Sequence, residues 1–304
     1  MLFRPDVLVL GGGGVLGERW LMGVLAGIED ATGFDLRECE YFVGTSAGSI
    51  VAARLAAGIS PNRPASTGTE LAAPSSQVPE TIGSTALGTA RRAGQWTMAA
   101  WSPFVPMLLA AARPPGALVR AGLLSRAPRP TRTLDDLGAH VARQGARFDG
   151  RLRIATVDRH RGRRVVFGSP GAPYATVARA VQASCAVPWI FAPVKIGGEE
   201  YVDGGVWSAT NLDAAPAGRD THVLCLNPTA GVNGTHPVLT LARRVARSAA
   251  GLEAATLRRR GAIVRTVAPD AEAAKAMGSD FMDPGPRAGV LAAGYRQGLR
   301  LAQG

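Results

Sequence analysis

Aromatic residues make up only 6% of this 304-residue chain, and cysteine and histidine are scarcer still, with three and four copies. The cysteines, Cys39, Cys185 and Cys225, are odd in number and far apart. That excludes a disulfide framework and a cysteine-based zinc site and fits free thiols in a reducing compartment. No run approaches the ~18–20 uninterrupted apolar residues of a membrane span. The amino-terminal stretch lacks the basic start, long apolar run and small-residue cleavage site of a signal peptide. A cytoplasmic protein, soluble or peripheral at a membrane, is the expectation.

What is present in excess is positive charge, a formal +11 carried mostly by arginine. It gathers at Arg91-Arg92, 161–164, Arg243-Arg244 and 258–260. No aromatic residues interleave with these clusters at base-stacking spacing, so no nucleic-acid partner is expected. Solvated basic faces and contact with an anionic membrane surface both fit. At 46% hydrophobic and 19% charged the composition is globular.

The pattern along the chain is strand breaking sharply into helix. Residues 6–10 read as a buried strand running into glycines 11–14 and a helix at 16–31; residues 41–43 read as a second strand, followed by 44–48 and an alanine-rich helix to about Gly58. Such repetition predicts a mostly parallel α/β fold. Residues 60–84, rich in Pro, Ser, Thr, Ala and Gly, read as a mobile insertion. Residues 96–112 are strongly apolar and flanked by arginines: either a buried cover for the core or a lid that meets the membrane interface. Thr133 is expected to cap a helix running to about Gln144. Strands are expected at 152–156, 165–167, 223–226 and 263–267. A hairpin is expected about Gly197-Gly198, and helices at 174–185, 238–260 and 287–301.

Three elements carry chemistry. Gly44-Thr45-Ser46-Ala47-Gly48 is a G-x-S-x-G between strand and helix, where a tight turn holds a serine oxygen out of the backbone path and glycines fit on either side. Gly11-Gly12-Gly13-Gly14-Val15-Leu16-Gly17 follows the first strand. It would serve as a pyrophosphate loop of a dinucleotide-binding enzyme or as a set of amides facing an oxyanion. The dinucleotide reading wants an acidic residue at the end of the next strand, and Glu38 and Glu40 instead precede it. Tyr201-Val202-Asp203-Gly204-Gly205 places an aspartate at a strand end, which fits a catalytic carboxylate or an Asp-Gly turn. A serine–acid–histidine triad through His222 or His236 is allowed by chain order; His140 and His160 complete the histidines.

The order of glycine loop, elbow serine and Asp-Gly-Gly resembles the patatin-like phospholipase family over nearly the whole chain. Ala183-Ser184-Cys185-Ala186-Val187-Pro188, Asn211 and Met282-Asp283-Pro284 support it. The resemblance implies a single domain over 1–304, a three-layer α/β/α sandwich, and a metal- and cofactor-free lipid acyl hydrolase of phospholipase A or lysophospholipase type. Ser46 and Asp203 would form the dyad, and Gly12, Gly13 and Gly14 the oxyanion hole. Gly17, Gly44, Gly48, Gly204 and Gly205 would support the motifs. The substrate would be a lipid or other acyl ester. A catalytically silent lipid-binding or regulatory protein is the alternative. One departure stands out: Leu16 occupies a position where the family often has a basic residue.

Overall fold

A computed structural model describes residues 2–65, 116–231 and 237–303. The 96–112 segment, all but residues 60–65 of the 60–84 insertion, and His236 lie outside the described residues. In chain order the elements are β1 (Val7–Leu10), α1 (Gly14–Thr32), β2 (Tyr41–Thr45), α2 (Ala47–Ala56), α3 (Gly116–Arg126), α4 (Asp135–Arg143), β3 (Leu152–Asp158), β4 (Arg164–Phe167) and α5 (Val177–Cys185). They continue with β5 (Val194–Ile196), β6 (Glu199–Asp203), β7 (His222–Leu226), α6 (Pro237–Arg259), β8 (Ile263–Val267), α7 (Ala271–Met277) and α8 (Arg287–Gln303).

The strands form one sheet in the order β5-β6-β3-β2-β1-β7-β8, with β4 also on β3. Pairing from β3 through β8 is parallel, while β4, β5 and β6 add antiparallel partners. The period-two alternation of a strand shows why there are three layers. In β1, Leu8 and Leu10 pack into a core with Trp20 of α1, Ile50 of α2 and Val181 of α5. Val7 and Val9 face the opposite side, against Ala254 and Leu257 of α6. A sheet covered on both faces needs apolar residues throughout, and β1 is fully buried along its length.

The last helix is fastened to the first. A Cβ at Gly23 would stand 2.2 Å from the Leu291 carbonyl oxygen, and one at Gly298 would stand 2.3 Å from that of Val24. Only glycine lets α1 and α8 approach so closely. Trp20 Nε1 donates to Gln297 Oε1 across this contact at 2.8 Å, with both side chains buried.

Three details differ from the sequence reading. The helix expected to be capped by Thr133 has Leu134 at its cap with no side-chain bond. Leu134 is 7% exposed, and its carbonyl accepts from Gln182 Nε2 at 2.9 Å, so tertiary contacts set this helix start. The helix expected from Tyr174 begins at Val177, where the Thr176 hydroxyl accepts from the Arg179 amide. Helices α3 and α7 were not foreseen. The Gly197-Gly198 hairpin forms as expected, both glycines at positive φ.

Candidate active site

The sheet reverses its order of connection between β1 and β7, and open α/β sheets bind ligands outside the carboxyl ends of strands at such a point. The glycine loop leaves the end of β1 here, and Ser46 leaves the end of β2.

Strand register explains how a distant aspartate joins them. On β3, β2 pairs with Leu152 to Ala155, β6 with Thr156 to Asp158, and β4 with Ile154 to Val157. Because β4 overlaps both other sets, β2 and β6 must share the edge opposite β4. They run in opposite directions along that edge and meet end to end, Thr45 opposite Ala155 and Asp203 opposite Thr156. Residues 157 positions apart in sequence thus become neighbours, and the Ser46 hydroxyl and the Asp203 carboxylate line one cavity, where the hydroxyl favours the ionised carboxylate.

Ser46 has φ 50° and ψ −122°, a left-handed conformation unusual outside glycine. Hydrogen bonds to both ends of its backbone hold it there. Its amide donates to Ser184 Oγ at 2.9 Å, and that hydroxyl donates on to the Ala155 carbonyl at 2.7 Å. Its carbonyl accepts from Ser49 Oγ at 2.6 Å. The two flanking glycines are steric necessities. A Cβ at Gly48 would lie 1.9 Å from the Leu10 carbonyl oxygen, and one at Gly44 would lie 2.5 Å from Ser49 Cα. Gly48→Ala is therefore expected to destabilise the protein by about 3 kcal/mol or more, since the obstacle is backbone. A denaturant midpoint little changed from wild type would show the elbow to be looser than this.

Asp203 is 2% exposed. Burial pushes its carboxyl up to about 7, although the Gly205 amide at 2.7 Å and the Ser46 hydroxyl pull the other way. The next turn is tied back by Asn211, whose Nδ2 donates to Thr45 Oγ1 at 3.0 Å, to the Ser208 carbonyl at 2.8 Å and to the Gly204 carbonyl at 3.3 Å. Glu253 of α6 accepts from Thr210 Oγ1 at 2.7 Å and from the Leu212 amide at 2.9 Å. Ser208, Thr210 and Glu253 escaped sequence reasoning; nothing but their three-dimensional convergence marks them.

Within the glycine loop the amides divide in role. Gly11 donates to the Leu226 carbonyl at 2.9 Å and Gly12 to that of Ala209 at 2.8 Å. The Gly13 and Gly14 amides have no acceptor among the described residues, and they stand at the amino end of α1, where the helix dipole is positive. Leu16 is fully buried in the core, and its amide donates to the Phe281 carbonyl at 3.0 Å. Its side chain thus points away from the site.

These parts line a cavity of about 90 Å³, with Ser46, Asp203, Gly13 and Gly14 in its lining and Ile50, Leu134, Ile190, Phe191 and Met282 among the apolar residues. His140, His160 and His222 do not line it. His140 bonds to Gln144 at 2.8 Å, and His222 lies 3.6 Å from Asp6 at the far end of β7. Glu38 and Glu40 precede β2, away from any strand end a dinucleotide would use. Of the arginine clusters, Arg161 pairs with Asp158 and Glu199, and Arg164 with Asp213.

A search of curated protein sequences returns no match. Among solved structures the chain is similar to VipD from Legionella pneumophila, at 16% identity and TM-score 0.47, with 98% of this chain and 66% of that one covered. It is also similar to the type III effector protein ExoU, at 16% identity and TM-score 0.35, with 98% of this chain covered but only about half, 53%, of the other. A family model described as patatin-like phospholipase matches residues 8–216, which include the glycine loop, Ser46 and Asp203. The chain belongs to the patatin-like phospholipase family.

Proposed function

We propose that the chain hydrolyses carboxylic esters of lipids, in the manner of a phospholipase A or lysophospholipase, with Ser46 as nucleophile and Asp203 as base. The observation that carries this reading is the meeting of β2 and β6 on one edge of β3, which sets the Ser46 hydroxyl on a buried carboxylate. Ionised Asp203 takes the Ser46 proton as Oγ attacks the ester carbonyl. The carbonyl oxygen becomes an oxyanion facing the Gly13 and Gly14 amides; Gly12, its own amide bonded to Ala209, shapes the loop. The proton passes from Asp203 to the leaving alcohol or lysolipid as the carbon–oxygen bond breaks. Water then attacks the acyl-enzyme, gives its proton to Asp203, and the acid leaves as Oγ is reprotonated.

A carboxylate of ordinary basicity is a weak base for an alcohol. Burial that raises Asp203 to about 7 brings it close to the matching of base strength to working pH that general-base catalysis favours. The formal charge of +11 supports a peripheral contact with anionic lipid surfaces. Among the described residues no helix is long and apolar enough to cross a membrane. The test is covalent labelling by a fluorophosphonate, with the adduct mapped by mass spectrometry, beside fatty-acid release from a panel of acyl lipids. Labelling at Ser46 with acid release is expected. A folded protein that neither labels nor releases acid would be a silent lipid-binding member of the family.

A further inference from the structure

Among the described residues the cavity holds one carboxyl that the proposed chemistry does not use. Glu18 lies four residues after Gly14 on α1, one helical turn or ~6 Å along the axis, and lines the same cavity as Ser46. No hydrogen bond or ion pair engages its side chain among the described residues. Three arginines, Arg19, Arg54 and Arg287, act on it electrostatically. Arg54 is buried and bonded through Nη2 to Asn62, and the Nε atoms of Arg19 and Arg54 are buried without an acceptor among the described residues. Burial pushes the Glu18 carboxyl up, against the pull of those arginines, and in either protonation state its oxygens can accept a hydrogen bond.

A carboxyl facing an apolar cavity is a problem for a substrate that is itself apolar. A plain alkyl chain packed over Glu18 would strip its water and offer nothing in return, and a buried polar group without a partner carries a penalty. An ammonium group would answer the carboxyl, but three guanidiniums nearby oppose a further cation, and the surrounding wall would desolvate it. A hydroxyl meets neither objection. We propose that Glu18 is a specificity-determining residue that selects acyl groups carrying a hydroxyl a few carbons from the ester carbonyl over plain alkyl chains. This rests on the acyl-hydrolase reading above, with the acyl group lodged along α1 and α2 beyond Ser46.

The test uses chain-length-matched p-nitrophenyl esters: one plain, a series with a hydroxyl at successive carbons, and one with a terminal amine. Wild-type protein should favour its best hydroxylated ester over the plain one by about tenfold or more in kcat/KM, the scale of a buried polar group left unpaired. Glu18→Leu should erase or reverse that ratio, while Glu18→Gln, which keeps an acceptor oxygen for the hydroxyl, should keep most of it. Equal kcat/KM for plain and hydroxylated esters in wild type overturns the proposal and leaves the hydrolase reading standing; this arm decides even if Glu18→Leu does not fold. An unchanged ratio in a folded Glu18→Leu overturns it too. So does preference for the amine ester lost in Glu18→Gln, which would make the site a cation subsite. Failure to hydrolyse any ester, with no fluorophosphonate adduct at Ser46, overturns the hydrolase reading and this proposal with it.

Discussion

Ser46→Ala is expected to lower ester hydrolysis by about 10⁴-fold or more, the scale on which loss of a nucleophile acts when the rest of a catalytic unit remains. The fold should persist, because the amide and carbonyl bonds that hold this residue are made by its backbone. A second substitution separates chemistry from strain. Ser46 has φ 50°, a conformation that a side chain resists and glycine does not. Ser46→Gly should be as inactive as Ser46→Ala yet more stable than it by about 1 kcal/mol. Chemical denaturation of the two variants measures the difference, with hydrolysis of a short soluble ester as the activity readout. Retention of most activity in either variant would remove Ser46 from the mechanism. Equal stabilities would mean the elbow stores no strain.

Asp203→Asn should be nearly as damaging, by about 10³-fold or more, since the amide cannot accept the serine proton. The same carboxyl predicts two opposite pH trends. The proposed mechanism requires the ionised form, so kcat/KM in wild type should climb with pH and level off above an apparent pKa near 7. Stability should go the other way. In the unfolded chain an aspartate titrates near ~3.9. Below that both states hold the proton, and Asp203 makes no difference. Between ~3.9 and about 7 the folded state keeps a proton that the unfolded state has lost, so stability falls as pH rises. Above about 7 the full penalty applies, on the order of 4 kcal/mol. Asp203→Asn lacks this decline. Relative to wild type it should gain stability from pH ~4 to pH ~8, measurable as denaturant midpoints at both ends. A wild-type rate flat across neutrality, or an aspartate contributing no slope, would contradict the buried-base assignment.

Much of this arrangement was legible in the residues. A short apolar strand breaking into glycines, and a second breaking into G-x-S-x-G, announce their own geometry, since few sequences other than a strand-to-helix turn need glycine on both sides of a serine. The Gly197-Gly198 hairpin was equally readable. What the sequence did not reveal is long-range. That β6 would seat on the edge of β3 just past the end of β2 depends on register, which no local pattern records. Which loop amides stay free depends on where Ala209 and Leu226 place their carbonyls. Glu18 was overlooked because a carboxyl in the first turns of a helix looks ordinary until it is found in the lining of a mostly apolar cavity. Leu134, capping a helix without a polar side chain, shows tertiary packing overriding local preference.

The clasp between the first and last helices bears on how the chain can be divided. Residues 217–304, beyond the family match, carry β7, β8 and α8. Cutting there would bare one side of β1, the strand that launches the glycine loop, and uncover Trp20 along the groove where α8 lies. A fragment trimmed to the recognisable motifs would keep Ser46, Asp203 and the glycine loop and lose the brace that aims them, while offering neighbouring copies an unpaired apolar strand to aggregate on. Expression boundaries for this protein belong after the closing helix.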